Sequence, residues 1–206
     1  MATCIIFCAG EFTDLCAPIE KGDYVIAADG GYRHIRTLGI QANAILGDFD
    51  SLGFVPETAT VFPTEKDDTD AMLAVRHGLE KGYKRFVLYG ALDGPRLDHT
   101  VANLQTLLFL SEKGAEGYLV GNTQMATTVT DSRSFPEGCA GTVSVFCMGK
   151  PAKGVTLENL QYPLENGTLT ATFPLGVSNH FTGKRARISV ETGTLVVIFD
   201  RQDGIL

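Results

Sequence analysis

Hydrophobic residues fall in short unbroken runs over the first 121 positions and in alternating ones after that. The unbroken runs are at 4–8, 24–28, 44–46, 60–62, 85–89 and 117–120. Runs of this length suit parallel strands covered on both faces. Helical patterns lie between some of them. Ala71, Val75 and Leu79 share one face of a segment spanning 70–79, with Asp68 as its expected N-cap. From Asp98 onward, Val101, Leu104, Leu107 and Leu108 recur at helical spacing. Strand followed by helix, repeated, predicts an α/β domain with a parallel sheet.

Beyond about Gln124 the helical pattern disappears. Leu169, Ala171 and Phe173 alternate with Thr168, Thr170 and Thr172, while Ala186, Ile188 and Val190 alternate with Arg185, Arg187 and Ser189. Further strands are expected at 142–146, 155–157 and 194–199. Turn residues separate them at Pro136-Glu137-Gly138, Asn166-Gly167 and Glu191-Thr192-Gly193. Period-two strands with short turns predict an antiparallel sandwich. The expected fold is α/β plus all-β: a parallel-sheet α/β domain over 1–124, then an antiparallel β-sandwich over 125–206.

Candidate chemistry sits in the first domain. Four acidic segments stand where apolar runs end or helical patterns begin. They are Gly47-Asp48-Phe49-Asp50-Ser51, Lys66-Asp67-Asp68-Thr69-Asp70, Leu92-Asp93-Gly94 and Arg96-Leu97-Asp98-His99. Ligands of open parallel sheets bind beyond the carboxyl ends of the strands, and Asp48 follows such an end. Asp48 and Asp50 point to one side of an extended segment. Any one of these aspartates alone reads as a helix cap. Together they read as a site for a hard divalent cation and phosphate, because gathered carboxylates repel and oxygen ligands suit Mg²⁺ or Ca²⁺. Ala28-Asp29-Gly30-Gly31 reads as a tight strand-to-helix turn. Arg96 beside Asp98 suits either a phosphate or a salt bridge.

Composition narrows the function classes. With 44% hydrophobic and 20% charged residues the chain builds a core and is not disordered. A net charge of −7 argues against nucleic acid as the main partner. No apolar run reaches membrane-spanning length, and residues 1–10 lack the basic start of a signal peptide, so a cytoplasmic location is expected. The five cysteines contain no C-x-x-C pair and the four histidines form no metal set. Neither a Walker A loop nor a G-x-S-x-G elbow occurs.

Taken in order, these motifs resemble the thiamine pyrophosphokinase family. The resemblance rests on Ala28-Asp29-Gly30-Gly31, Leu46-Gly47-Asp48-Phe49-Asp50-Ser51, Lys66-Asp67-Asp68-Thr69-Asp70, the run from Gly90 to His99, and Val177-Ser178-Asn179-His180-Phe181. It covers nearly the whole chain. It implies transfer of the pyrophosphoryl group of ATP to the hydroxyl of thiamine, giving thiamine diphosphate and AMP. By analogy, Asp48, Asp50, Asp70 and Asp98 are catalytic, with Asp48, Asp50 and Asp70 holding Mg²⁺. The same analogy assigns Asp29, Gly30, Lys66, Thr69 and Arg96 to ATP, and Asp67, Ser178 and Asn179 to thiamine. It also implies a homodimer with its active site between subunits. One departure stands out: bacterial relatives usually carry an acidic residue after Ser-Asn, where this chain has His180. The chain has no Trp, so stacking on thiamine falls to a Phe or Tyr, with Phe181 one candidate.

Two rivals remain at the level of residues. Asp48-Phe49-Asp50 superficially resembles the D-x-D pair of haloacid-dehalogenase-type phosphatases, but that pair belongs after the first strand and here follows the third apolar run. The other rival is a module that binds a nucleotide or cation without turnover.

Overall fold

Every apolar run singled out in the first 121 residues forms a strand in the computed structural model, which describes residues 2–50, 52–63, 67–202 and 204–206. The strands are β1 (Cys4–Phe7), β2 (Tyr24–Ala28), β3 (Ala44–Gly47), β4 (Thr60–Val61), β5 (Arg85–Tyr89) and β6 (Glu116–Val120). They belong to the first of two compact units, Met1–Asn122 and Thr123–Leu206. In this unit the strand order is β6-β5-β1-β2-β3-β4, and every pairing is parallel. The order reverses at β1, between β5 and β2. Ile6, Ile26, Leu88 and Leu119 are wholly buried, as expected of strands covered on both faces.

Three helices accompany the described strands: α1 (Tyr32–Leu38), α2 (Asp70–Glu80) and α3 (Leu97–Glu112). Helix α2 buries Ala71, Ala74, Val75 and Gly78 and leaves Leu79 half-buried. Its N-cap is Thr69, whose hydroxyl accepts from the Met72 N–H at 3.2 Å. Asp68, the expected cap, instead pairs with Arg76 at 2.9 Å. Helix α3 also departs from the hydrophobic pattern. Its buried face is Asn103, Thr106, Leu107 and Leu110, while Val101 is exposed. Two of those inward residues are polar, so a search for apolar periodicity misses the face they define. Thr106 satisfies its hydroxyl by donating to the Ala102 carbonyl at 3.0 Å, one turn back.

The second unit is all β. One of its sheets has the order β12-β9-β14-β7, formed by Gly176–His180, Thr142–Cys147, Leu195–Asp200 and Gln124–Val129. The other has the order β11-β10-β13-β8, formed by Leu164–Leu169, Ala152–Glu158, Ala186–Ser189 and Ser132–Phe135. Pairing is antiparallel throughout. Ala186, Ile188 and Val190 are buried, as their alternation predicts. The two sheets meet at Phe135 of β8, whose ring lies 5.2 Å from Phe199 of β14 and 5.0 Å from Phe181.

The strand expected at 168–173 ends at Leu169. Ala171 and Phe173 face water, the chain turns between Thr170 and Phe173, and Pro174 has no N–H to extend a ladder. Asn166-Gly167, expected as a turn, lies inside β11. It is absorbed there by a register irregularity against β10, with Asn166 at φ 48°. Among the described residues, no helix is long and apolar enough to cross a membrane.

Truncating Phe135 removes the ring that joins the two sheets. Phe135→Ala is expected to lower unfolding stability by about 3–5 kcal/mol, as for other buried aromatic truncations. Urea denaturation followed by circular dichroism measures this, and a loss below about 1 kcal/mol would mean the sheets do not depend on that contact.

Candidate active site

A cleft of about 410 Å³ opens at the carboxyl ends of β1, β2, β3 and β5. Such crevices form where successive strands send their connections to opposite faces of the sheet. Its wall is supplied by the ends of those strands together with the first turns of α2 and α3.

Asp29 enters the cleft from a single 3₁₀ turn, Asp29–Gly31, directly after β2. It is buried and adopts φ 44°. Gly31 lets that turn press onto β1, since a Cβ there would lie 1.9 Å from the Phe7 carbonyl oxygen. Gly47, the last residue of β3, permits a similar approach: its Cβ would lie 2.9 Å from the Asp29 Cα. These two contacts bring the ends of β2 and β3 close enough for their aspartates to meet.

Asp48 and Asp50 follow at once. Between them Phe49 is 3% exposed and holds φ 61°. Its ring anchors the turn, and the Asp50 N–H donates to Asp48 Oδ1 at 3.2 Å. As a result, one carboxylate oxygen each of Asp29, Asp48 and Asp50 lie within 4.8 Å of one another. Unit charges about 5 Å apart repel by about 3 kcal/mol at an effective dielectric of 20, and by less where Asp50 meets water. Octahedral Mg²⁺ at about 2.1 Å from its ligands places trans oxygens about 4.2 Å apart, so this all-oxygen donor set fits such an ion.

Asp70 and its capping neighbour Thr69 line the same cleft at the start of α2. Burial and the nearby Asp70 carboxylate push the Cys8 thiol up to about 12. Cys8 therefore contributes a neutral wall rather than a nucleophile. The cysteines form no disulfide among the described residues.

Arg96 also lines the cleft, whereas Asp98 does not. The two form an exposed pair at 2.6 Å. Hydrogen bonding from the Arg96 guanidinium holds the Asp98 carboxyl below the usual carboxylate range. Asp67 is exposed and lies outside the cleft lining. Lys66 and Ser51 lie outside the described residues. Gly30 is buried in the 3₁₀ turn beside Asp29.

Ser178 and Asn179 lie on β12 of the second unit. Asn179 is buried, and its amide accepts from the Tyr162 N–H and donates to the Tyr162 carbonyl. Ser178 is exposed at φ 59°, beside a cavity of about 140 Å³ lined in part by Tyr162, Leu175 and Asn179. Phe181, a candidate to stack on a ligand, is instead buried against Phe135 in the sandwich core.

Sequence reasoning passes over Asn103 among the lining residues and gives Asp93 no individual role. Asp93 belongs to a segment noticed for its charge. Its Oδ2 accepts from the Asn122 N–H, and its carbonyl accepts from the Glu11 N–H at 2.7 Å, tying together the loops after β1, β5 and β6. Asn103 carried no signal beyond being a polar residue inside a helix.

Comparison with known proteins agrees with this architecture. Residues 16–119 match the family described as "Thiamin pyrophosphokinase, catalytic domain", and residues 134–195 match "Thiamin pyrophosphokinase, vitamin B1 binding domain". Thiamine pyrophosphokinase of Bacillus subtilis is 27% identical over 205 residues, spanning 90% of this chain and 91% of that one. A crystal structure of the Bacillus subtilis protein superposes with a TM-score of 0.86 at 23% identity, covering 97% of this chain and 99% of that one. A family protein from Enterococcus faecalis gives 0.81 at 26% identity, covering 98% and 100%. Yeast thiamin pyrophosphokinase gives 0.72 at 16% identity, covering 99% and 87%.

The shared fold defines a class of kinase in which an α/β catalytic unit precedes a β-sandwich unit. Within that class, the two matched domains place this chain in the thiamine pyrophosphokinase family.

The Arg96–Asp98 pair has a titration signature. A carboxylate with a depressed folded-state value keeps its pairing above the ordinary carboxylate range and loses it as pH falls through the depressed value. In Arg96→Gln, the Asp98 carboxyl is expected to titrate back up toward the ordinary range. Carbon-13 NMR of labelled aspartate reads this directly, and an unmoved titration curve would contradict the pairing.

Proposed function

We propose that the acidic cleft of the first unit is the catalytic centre of this thiamine diphosphokinase. The reaction moves the pyrophosphoryl group of ATP to the hydroxyethyl oxygen of thiamine, and thiamine diphosphate and AMP leave. The observation that carries this reading is the convergence of Asp29, Asp48 and Asp50, with Asp70 on the same wall.

In this reading Asp29, Asp48 and Asp50, with Asp70 at the edge, hold Mg²⁺ and through it the polyphosphate. Asp29 thus joins the cation set instead of serving ATP alone. A bound Mg²⁺ would neutralise phosphate oxygens, the chemistry that makes a negatively charged phosphorus open to attack. The remaining work is positioning and charge neutralisation, as in other phosphoryl transfers. Thr69 and Asp70, at the start of α2, border the phosphate end. Arg96, on the rim, would offset charge developing on the oxygen that leaves with AMP. An aspartate of the cleft would take the proton of the attacking alcohol. Asp98, outside the lining, would act by orienting Arg96.

Thiamine recognition is assigned to the second unit, which matches the vitamin B1 binding domain. Ser178 is exposed there for direct contact. Asn179, its amide spent on the Tyr162 backbone, would shape the segment around it. A homodimer completes this reading, with Ser178 serving the partner's cleft. The exposed side chains of Tyr162, Phe173, Leu175 and Val177 on the second unit support such an interface.

Incubation with thiamine and Mg-ATP, followed by mass detection, is expected to yield thiamine diphosphate and AMP together. Release of inorganic phosphate independent of thiamine would replace this reading with a phosphohydrolase. Asp48→Asn is expected to lower turnover by about 10²-fold or more, on the scale of losing a charge-stabilising group. Its melting temperature is expected to hold, because Asp48 is not part of the buried core. A variant that melts early at unchanged specific activity would make Asp48 structural.

A further inference from the structure

We propose that Asn103 is a specificity-determining residue for the nucleotide: its Oδ1 accepts a hydrogen bond from a donor on the nucleoside of ATP. The inference rests on the cleft being the ATP site and extends that reading to its β5 side.

Asn103 projects from α3, is 8% exposed and lines the cleft. Its Nδ2 donates to the Ala91 carbonyl at 2.8 Å. A carbonyl accepts and cannot donate, so only the NH₂ end of the amide can face Ala91. The orientation of the side chain is therefore determined by chemistry and not by choice of fit. This is the one hydrogen bond its side chain makes among the described residues, and Oδ1 is left as a fixed acceptor. On a cleft wall, such an acceptor is open to a donor on whatever fills the cleft.

The donor does not come from a phosphate, whose ionised oxygens only accept. Polyphosphate and cation belong instead with Asp29, Asp48 and Asp50, which approach from the ends of β2 and β3. Asn103 approaches from the far side of β1, beside β5. The cleft lining beside it is Gly90, Ala91 and Leu92 at the end of β5, with His99 one turn back on α3. Thr100 holds this wall as well, donating to the Leu92 carbonyl at 3.1 Å. A partly apolar wall with one locked acceptor suits a sugar or base that offers an N–H or O–H. In ATP that donor is either the exocyclic 6-amine or a ribose hydroxyl. A site built to bond such a group discriminates against analogues that lack it.

The test compares kcat/KM for thiamine diphosphate formation from ATP, inosine triphosphate and deoxy-ATP lacking the 2′ or 3′ hydroxyl. Inosine triphosphate replaces the 6-amine with a carbonyl. Wild type is expected to prefer ATP by about ten-fold over at least one analogue, the scale of one uncharged hydrogen bond. The analogue that suffers identifies the donor. Asn103→Ala is expected to bring that ratio close to one. Asn103→Asp keeps an acceptor in place but loses the donation to Ala91, so it is expected to lower the melting temperature while retaining the preference. That split separates recognition from loop bracing.

The proposal is overturned if wild type uses all the nucleotides alike, if Asn103→Ala keeps the wild-type ratios, or if the Ala and Asp variants lose them together. A change confined to KM for thiamine overturns it too, because the donor would then belong to the other substrate. Failure of wild type to make thiamine diphosphate from ATP would remove the underlying reading instead, and is seen separately.

Discussion

Carboxylates held a few ångströms apart raise the free energy of a fold unless positive charge answers them, and this chain holds three of them within 4.8 Å. The arrangement is too specific to be an accident of surface crowding. It needs Gly31 against the Phe7 carbonyl and Gly47 against the Asp29 Cα, two approaches that a single methyl group would block. It also needs parallel strands that end side by side, since Asp29 and Asp48 each follow directly on a strand. Helix α2 offers a partial answer, because the positive end of its dipole lies at Thr69 and Asp70. That field acts over the first turn only. A hard cation matches the donor atoms as a further source of positive charge.

Two of the five described non-glycine residues with positive φ stand at the same place. Asp29 at φ 44° and Phe49 at φ 61° adopt a conformation that costs non-glycine residues on the order of 1–3 kcal/mol. For a bulky residue such as Phe49 it is a genuine outlier. Burial of the Phe49 ring returns about 2–3 kcal/mol and so holds the turn in place. The outcome is a pair of carboxylates, Asp48 and Asp50, aimed before any ligand binds. Preorganisation of this kind removes an ordering cost from the binding step. Strain and repulsion are thus concentrated in a few residues, while the strands beneath them are ordinary buried core.

Much of this was legible in the amino-acid pattern. The parallel strands were visible because both of their faces are buried, which leaves unbroken apolar runs such as Phe86-Val87-Leu88. β13 was visible because one face is buried and the other wet. The strand misread near Thr168 shows the limit, since alternation is also produced by exposed residues such as Ala171 and Phe173. The face of α3 was misread for the opposite reason: Asn103 and Thr106 are buried but polar. In the site, the Asp48–Asp50 pair could be read from spacing alone. That Asp29 joins it could not, because the contact depends on how closely β2 and β3 approach. Nor could spacing reveal that Asp98 turns outward to Arg96, since two residues of separation serve a salt bridge and a shared ligand equally well.

The carboxylates that follow β2 and β3 share one cleft with Arg96, which precedes α3. Arg96 lines the cleft while its partner Asp98 faces water. Exposed pairs of this kind are weakly held, because solvent competes for both charges. A polyphosphate entering the cleft would offer Arg96 more negative charge than one carboxylate, at little cost in giving up Asp98. Until then the Asp98 carboxylate is the partner that the guanidinium holds.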